Sequence, residues 1–186
     1  MDNKTPSKWN TISDELHADC RIFEVRKHSC KHPIDKREGD FFVITSNDWV
    51  NVVPVTCENE IIFVRQYRFG TQQLSWEIPG GVIDQQECPL LAGARELDEE
   101  TGYVGNQPKA IGKCYPNPAL FTNICHFILI ENAKQVNKQN LDRHEEIEIK
   151  LVSIHQASQW LHSQDQPVHA MTLNALYFAK QHLNGL

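Results

Sequence analysis

Most of the chain carries runs of β-branched and aromatic residues typical of strands, and one stretch between them follows helical spacing. These runs predict strands at 21–28, 40–46, 49–57, 60–68, 108–115, 123–132 and 146–154. A helix is predicted from residue 89 to 101, and two more are predicted near 155–163 and 169–183. Because strands precede and follow the first helix, the pattern predicts an α/β fold with helices packed on a mixed β-sheet.

The first of these helices carries three carboxylates on one face. Glu96, Glu99 and Glu100 lie within one turn of each other, with Arg95 in the same arc. Gly102 follows the last turn, where a left-handed residue commonly ends a helix. Like charges repel, so this face is either an ordinary solvated surface or a site for a divalent cation. Mg²⁺ takes oxygen ligands and usually binds together with substrate phosphates, so the second alternative predicts phosphate chemistry.

Length and composition narrow the class of protein. The 186-residue chain is long enough for one domain with a substantial core and a short additional segment. Its formal net charge of −6 argues against a protein that binds nucleic acid or anionic membranes through a basic surface. The N-terminal segment is polar and lacks the apolar region of a signal peptide, so we expect a cytoplasmic protein. The six cysteines include no Cys-X-X-Cys pair and are expected to be free thiols.

The glutamates belong to a longer spacing pattern. Five residues separate Gly81 from Glu87, seven separate Glu87 from Arg95, and the segment ends at Gly102 and Tyr103. This segment resembles the complete Nudix box, GX5EX7REUXEEXGU, in which U is aliphatic and Tyr103 is the one departure. The resemblance implies the Nudix fold, an α/β/α sandwich around a mixed β-sheet. It also implies a hydrolase that cleaves pyrophosphate bonds with Mg²⁺, for which Mn²⁺ can substitute.

The resemblance assigns roles to individual residues of the box. It implies that Glu96, Glu99 and Glu100 are the principal metal ligands, with a backbone carbonyl near Gly81 as a further ligand. Arg95 is expected to pair with Glu99 and to hold it in its rotamer. Glu100 or Glu96 is expected to orient the attacking water through the metal.

A general base is expected from the acidic loop that precedes the last strand. In the branch of the family that cleaves ADP-ribose the base usually comes from this loop, which here reads LDRHEEIEIK. Glu145 and Glu146 are the candidates, and a solvated acidic turn is the alternative. A separate base is not required if a cation lowers the pKa of the attacking water.

Two segments before the box indicate the substrate. VRQYRFG and SWEIPGG resemble the ADP-ribose pyrophosphatase branch of the family. We expect Arg65 and Arg68 to share one face of a strand and to contact phosphate. Glu77 is expected to contact a ribose or a metal. The resemblance implies that the substrate is a nucleoside diphosphate derivative, with ADP-ribose cleaved to AMP and ribose 5-phosphate.

One later segment departs from that branch. In YPNPALFTN, Ala119 replaces the usual glycine and no acidic residue follows nearby. Other functions therefore stay open, namely another nucleotide-sugar or dinucleotide pyrophosphatase, a pyrophosphatase that removes modified nucleoside triphosphates, and a non-catalytic nucleotide-binding sensor.

The chain is expected to have two parts. Residues 1–48 resemble the N-terminal β extension of the ADP-ribose branch, which pairs or swaps with a second subunit, and residues 49–186 correspond to the Nudix hydrolase domain. The resemblance thus implies a homodimer, with a small cap on a monomer as the alternative. No nucleic-acid or membrane partner is expected.

Overall fold

The computed structural model describes residues 5–183. The chain divides into two compact units, of which the first comprises Met1–Asn47 and Tyr115–Asn123. The second comprises Asp48–Cys114 and Ile124–Leu186, and it contains all the residues of the Nudix box.

The first unit is built on a three-stranded antiparallel sheet. Its strands, in spatial order, are β1 (Asn10–Asp19), β2 (Glu24–Lys31) and β3 (Glu38–Thr45). The sequence pattern does not predict β1, because its residues are mostly polar and exposed. It is placed instead by its backbone register with β2. The segment Tyr115–Asn123 runs beside β3, where the Ile44 N–H donates a 2.7 Å hydrogen bond to the Leu120 carbonyl.

The second unit contains an eight-stranded sheet. Its strands are β4 (Trp49–Thr56), β5 (Glu60–Arg68), β6 (Gln73–Glu77), β7 (Gly80–Val82), β8 (Tyr103–Val104), β9 (Lys109–Cys114), β10 (Cys125–Gln135) and β11 (Glu148–Ser153). The main order is β11-β5-β4-β10-β8, while β6 pairs with β5, β7 with β4 and β9 with β10. Because β4 and β10 pair in parallel and the other pairs are antiparallel, the predicted mixed sheet is confirmed.

Helices cover both faces of this sheet. They are α1 (Pro89–Thr101), α2 (Ala157–His162) and α3 (Ala170–Ala179). Neighbouring residues of β4 point to opposite faces, so Val50 and Val52 pack in the cluster that contains Leu97 of α1. Val53 and Val55 pack in the other cluster, together with side chains of α2 and α3. The predicted α/β/α sandwich is therefore present. Within residues 5–183, no helix is both long enough and apolar enough to span a membrane.

The ends of α1 explain why the acidic residues occupy a regular helix. Pro89 begins the helix, where its fixed φ suits the first turn. Gly102 ends it with φ 72°, a left-handed conformation that glycine adopts readily. The Gly102 N–H donates a 2.7 Å hydrogen bond to the Asp98 carbonyl. The predicted helix from 89 to 101 is confirmed at both ends.

Candidate active site

The three glutamates of α1 differ in how deeply they are buried. Glu100 is only 3% exposed, whereas the side chains of Glu96 and Glu99 are 13% and 40% exposed. Gly80 contacts the deepest of them, because its N–H donates a 3.1 Å hydrogen bond to Oε2 of Glu100. Glutamates are almost never buried to this extent unless they are paired. An ordinary solvated surface therefore does not describe this face of α1.

Arg95 binds three carboxylates at once. Its Nε and Nη2 donate to the two carboxylate oxygens of Glu87 at 3.0 and 2.9 Å. Its Nη1 donates to Oε1 of Glu96 at 2.9 Å and to Oε2 of Glu99 at 3.0 Å. The predicted Arg95–Glu99 pair is present, and it belongs to a larger network. Because Glu87 precedes the helix, this network fastens the acidic face of α1 to the turn before it.

Gly81 lies where the backbone passes closest to Glu96. It belongs to β7 and pairs with Val50 of β4. A Cβ atom at this position would lie 2.5 Å from Oε1 of Glu96, well inside van der Waals contact. Any larger residue would displace the Glu96 carboxylate, so glycine lets β7 approach the acidic face without moving that side chain, which gives a physical reason for the first position of the box.

Burial changes the ionisation of these acids. Desolvation raises the pKa of Glu96 to about 7, against the opposing charge of Arg95. Desolvation also raises the pKa of Glu100 well above its ordinary value, and the charge of Glu96 adds to that effect. By contrast, hydrogen bonds from Arg95 hold the pKa of Glu87 below its usual range. Ionised Glu96 and Glu100 are thus costly in the protein alone, and positive charge beside them would lower that cost.

The donor atoms fit a divalent cation by their chemistry. Glu96, Glu99 and Glu100 each keep one carboxylate oxygen that accepts no hydrogen bond within residues 5–183. Oxygen is the ligand that hard cations such as Mg²⁺ prefer. As the side chains stand, no three His, Cys, Asp or Glu residues of that part of the chain converge as a metal cluster. Arg95 occupies one oxygen of Glu96 and one of Glu99, so these two side chains are shared between the arginine and any cation.

The acidic loop before β11 is fastened to the C-terminal end of α1. Gln139 donates its Nε2 hydrogen to the Glu100 carbonyl at 2.7 Å, and the Asn140 N–H donates to the Glu99 carbonyl at 2.8 Å. Asn137 adds a third tie, from its Nδ2 to Asp98 Oδ1 at 2.8 Å. These contacts place the loop directly beside the acidic helix.

The two candidate bases in that loop differ in their surroundings. Glu145 lies close enough to the acidic face that its charge adds to desolvation in raising the pKa of both Glu96 and Glu100. Its Oε2 accepts a 3.0 Å hydrogen bond from a backbone N–H of the same loop. Glu146 is exposed and has no hydrogen bond or ion pair within residues 5–183.

Arg65 and Arg68 point to opposite faces of β5, so the prediction of a shared face is wrong. Residues share a strand face when they are two apart, and these two are three apart. Arg65 lies across the ring of Trp76, with its Cζ 5.1 Å from the ring centroid, and pairs with Glu148. Arg68 donates its Nε and Nη2 to the two carboxylate oxygens of Glu77 at 2.9 and 2.6 Å.

Glu77 is an ionised carboxylate that is paired with Arg68. It also has a second neighbour, His169, which the sequence does not indicate. Glu77 is 1% exposed, and burial opposes its ionisation, yet the hydrogen bonds and charge of Arg68 bring its pKa below the ordinary value. His169 Nδ1 lies 3.3 Å from Oε2 of Glu77. Sequence analysis missed His169 and also Gln139, because neither belongs to a motif and both reach the site only through the folded chain.

Known proteins resemble this chain over most of its length. Residues 47–173 match the family model described as the NUDIX domain. The chain is 33% identical over 166 residues to the ADP-ribose pyrophosphatase of Bacillus subtilis, covering 89% of this chain and 86% of that protein. It is 31% identical over 155 residues to the methanol dehydrogenase activator of Bacillus methanolicus, covering 81% and 82%. A crystal structure of an ADP compounds hydrolase has the same fold, with a TM-score of 0.85, 22% identity and coverage of 98% and 97%. The chain therefore belongs to the Nudix hydrolase family.

Proposed function

We propose that this protein is a metal-dependent pyrophosphatase that cleaves a nucleoside diphosphate derivative at the acidic face of α1. The burial of Glu96 and Glu100, each with one carboxylate oxygen left free, is the observation that carries the proposal. Buried carboxylates without full pairing are costly unless a cation is bound beside them. A bound divalent cation supplies positive charge for phosphate oxygens and lowers the pKa of water.

We assign the cation to Glu96, Glu99 and Glu100, with the backbone of Gly81 as a further oxygen donor. Mg²⁺ is the expected ion and Mn²⁺ a substitute, because both take oxygen ligands. Arg95 holds Glu96 and Glu99 in their rotamers through its shared Nη1. Its Nε and Nη2 are bound by Glu87, which precedes the helix. The guanidinium is therefore held in place, and it keeps the two carboxylates oriented when no cation is bound.

We assign the proton acceptor for the attacking water to Glu145 in preference to Glu146. The loop that carries Glu145 is tied to the end of α1 through Gln139, and the charge of Glu145 acts on the acidic face. Glu100 or Glu96 orients the same water. When water attacks one phosphorus, its hydroxyl joins that phosphorus, and the bridging oxygen leaves with the other phosphate.

Arg68 is the arginine that we assign to a substrate phosphate. Arg65 is engaged by Glu148 and by the ring of Trp76, on the other face of β5. Arg68 is ion-paired with Glu77 and still 43% exposed at its side chain, so it can accept an anionic ligand. We therefore assign Arg65 a structural role, on the face of β5 opposite Arg68.

ADP-ribose is the substrate that we favour, with AMP and ribose 5-phosphate as products. A relative that covers 89% of this chain bears the name ADP-ribose pyrophosphatase, which supports this choice. Other nucleotide sugars and dinucleotides contain the same pyrophosphate linkage and are the alternatives within the same chemistry.

A substrate panel tests the proposal. Purified full-length protein is incubated with Mg²⁺ and ADP-ribose, an ADP-hexose, a dinucleotide or a modified nucleoside triphosphate, and products are separated by chromatography. We expect two monophosphates from ADP-ribose, with the highest kcat/KM of the panel. Pyrophosphate released from the triphosphate alone would instead indicate a triphosphate-removing enzyme. Ligand binding without any turnover would indicate a sensor and contradict the proposal.

We further propose that residues 1–48, which contain β1, β2 and β3, form a dimerisation segment. Apolar side chains on this sheet are strongly exposed in the single chain, with Ile12 at 59%, Leu16 at 54% and Phe41 at 47%. Exposed apolar surface of this kind commonly marks a protein interface. Light scattering is expected to give twice the mass of the chain. A mass equal to that of one chain would instead support a small cap on a monomer.

A further inference from the structure

We propose that Glu77 and His169 are positioning residues that aim Arg68 at a substrate phosphate. The inference rests on the proposed function and adds to it how the arginine is held. Glu77 binds Arg68 through Nε and Nη2, at 2.9 and 2.6 Å. The remaining nitrogen, Nη1, has no hydrogen-bond partner within residues 5–183. A guanidinium fixed on one edge therefore presents its other edge for an oxyanion.

The guanidinium of Arg68 lies near the acidic face of α1. Glu77 ends β6, and the segment that follows it donates the Gly80 N–H to Glu100. Glu77 has the largest effect on the pKa of Arg68, and the charges of Glu100 and Glu145 raise that pKa further. Arg68 thus brings positive charge to a site that is otherwise dominated by carboxylates. Such a charge is what a pyrophosphate requires where it approaches acidic residues.

His169 contacts the same carboxylate oxygen of Glu77 that accepts a hydrogen bond from Nη2 of Arg68. Its Nδ1 lies 3.3 Å from Oε2 of Glu77 and 3.3 Å from Oγ1 of Thr172. Burial lowers the pKa of His169, so the imidazole is neutral near pH 7 and carries one N–H. A carboxylate only accepts hydrogen bonds, and a nitrogen lone pair facing it would be repelled. The hydrogen therefore belongs on Nδ1, where it is donated to Oγ1 of Thr172 and faces Oε2 of Glu77.

The start of α3 is joined to the end of β6 by a second contact. Thr172 is fully buried, and its Oγ1 accepts a 3.3 Å hydrogen bond from the N–H of Ile78. Ile78 directly follows Glu77 in the chain, so His169 and Thr172 hold the carboxylate side chain and its backbone together. The rotamer of Glu77, and with it the direction of Arg68, is thereby tied to the start of α3.

His169 is the better residue to change, because Glu77→Gln removes the buried counter-charge of Arg68 and can unfold the protein. His169→Leu removes the donor and keeps the bulk. His169→Asn returns an N–H near the position of Nδ1. His155→Leu is the matched control, because His155 is exposed and has no hydrogen bond or ion pair within residues 5–183.

Kinetics with ADP-ribose separate a positioning role from a structural one. We expect His169→Leu to lower kcat/KM about 10- to 100-fold, mainly by raising KM, which is typical when a partner that orients a ligand is lost. His169→Asn should recover most of that loss, and His155→Leu should match wild type. In an Arg68→Ala background, His169→Leu should have no further effect, because it acts through Arg68. An equal loss in both backgrounds would overturn the proposal.

A second readout does not depend on catalysis. The Nε–H resonance of Arg68, assigned by its disappearance in Arg68→Ala, reports directly on the bond to Glu77. We expect a sharp, slowly exchanging signal in wild type and His169→Asn, and a broadened or rapidly exchanging one in His169→Leu. The same signal in all three proteins would overturn the proposal. If wild type releases no monophosphate from any compound of the substrate panel, the proposed function fails, while this spectrum still decides whether His169 positions Arg68.

Discussion

Replacing Glu100 with glutamine is expected to abolish turnover and, at the same time, to stabilise the metal-free protein. The substitution removes a charged oxygen ligand, and metal catalysis contributes several kcal/mol, so kcat should fall by about 1,000-fold or more. Glutamine keeps the shape and can still accept the Gly80 N–H that now bonds Oε2. A neutral amide at a position only 3% exposed avoids the cost of burying a carboxylate. In chelator, Tm should rise by about 2–4 °C, as expected for a gain of about 1 kcal/mol in a domain of this size.

Thermal unfolding with and without Mg²⁺, together with kcat, checks this expectation. The Tm of wild type should rise when Mg²⁺ is added, because a ligand that binds the folded state stabilises it. The Tm of Glu100→Gln should rise less. Glu58→Gln is the control, because Glu58 is an exposed residue in the turn between β4 and β5. Full activity in Glu100→Gln would show that Glu100 is not part of the cation site.

Replacing Arg95 with lysine is expected to lower kcat/KM about 10- to 100-fold, although the charge is conserved. One guanidinium now holds Glu87, Glu96 and Glu99 together. A lysine ammonium is a single point with three donors and cannot reproduce the planar fork. Glu96 and Glu99 should then lose their fixed rotamers, and more Mg²⁺ should be needed for half-maximal activity.

Kinetics at a series of Mg²⁺ concentrations measure both parts of this effect. Arg21→Lys is the matched control, because the Arg21 side chain is exposed and lies in the first unit. The role assigned to Arg95 is wrong if Arg95→Lys has the kcat/KM and the half-saturating Mg²⁺ concentration of wild type.

The sequence was sufficient to predict those helices and strands whose local residue pattern agrees with their packing in the fold. β5 occupies Glu60–Arg68, as its run of β-branched and aromatic residues predicts. Helix α1 begins at Pro89 and ends before Gly102, because both ends carry residues whose backbone preferences are strong. The acidic face of α1 follows from helical spacing alone, and the resemblance to the Nudix box predicts that this face binds a metal.

The sequence was insufficient where a contact depends on residues brought together by the fold. β1 has a polar pattern and is placed by pairing with β2, which no local signal indicates. The placement of Arg65 and Arg68 on opposite faces could be predicted from the sequence, because residues three apart along a strand point to opposite faces. The prediction of a shared face was wrong for that reason. The contact of His169 with Glu77 was not readable, because it joins the start of α3 to the end of β6.

Hydrolysis of ADP-ribose by chelator-treated protein, followed as Mg²⁺ is added back, tests the central claim most directly. The account predicts no product without the cation, saturable release of AMP and ribose 5-phosphate as it is added, and almost none from Glu100→Gln at any concentration. Wild-type protein that releases these products equally well in chelator, or that releases no monophosphate from any pyrophosphate compound with Mg²⁺ or Mn²⁺, would contradict it.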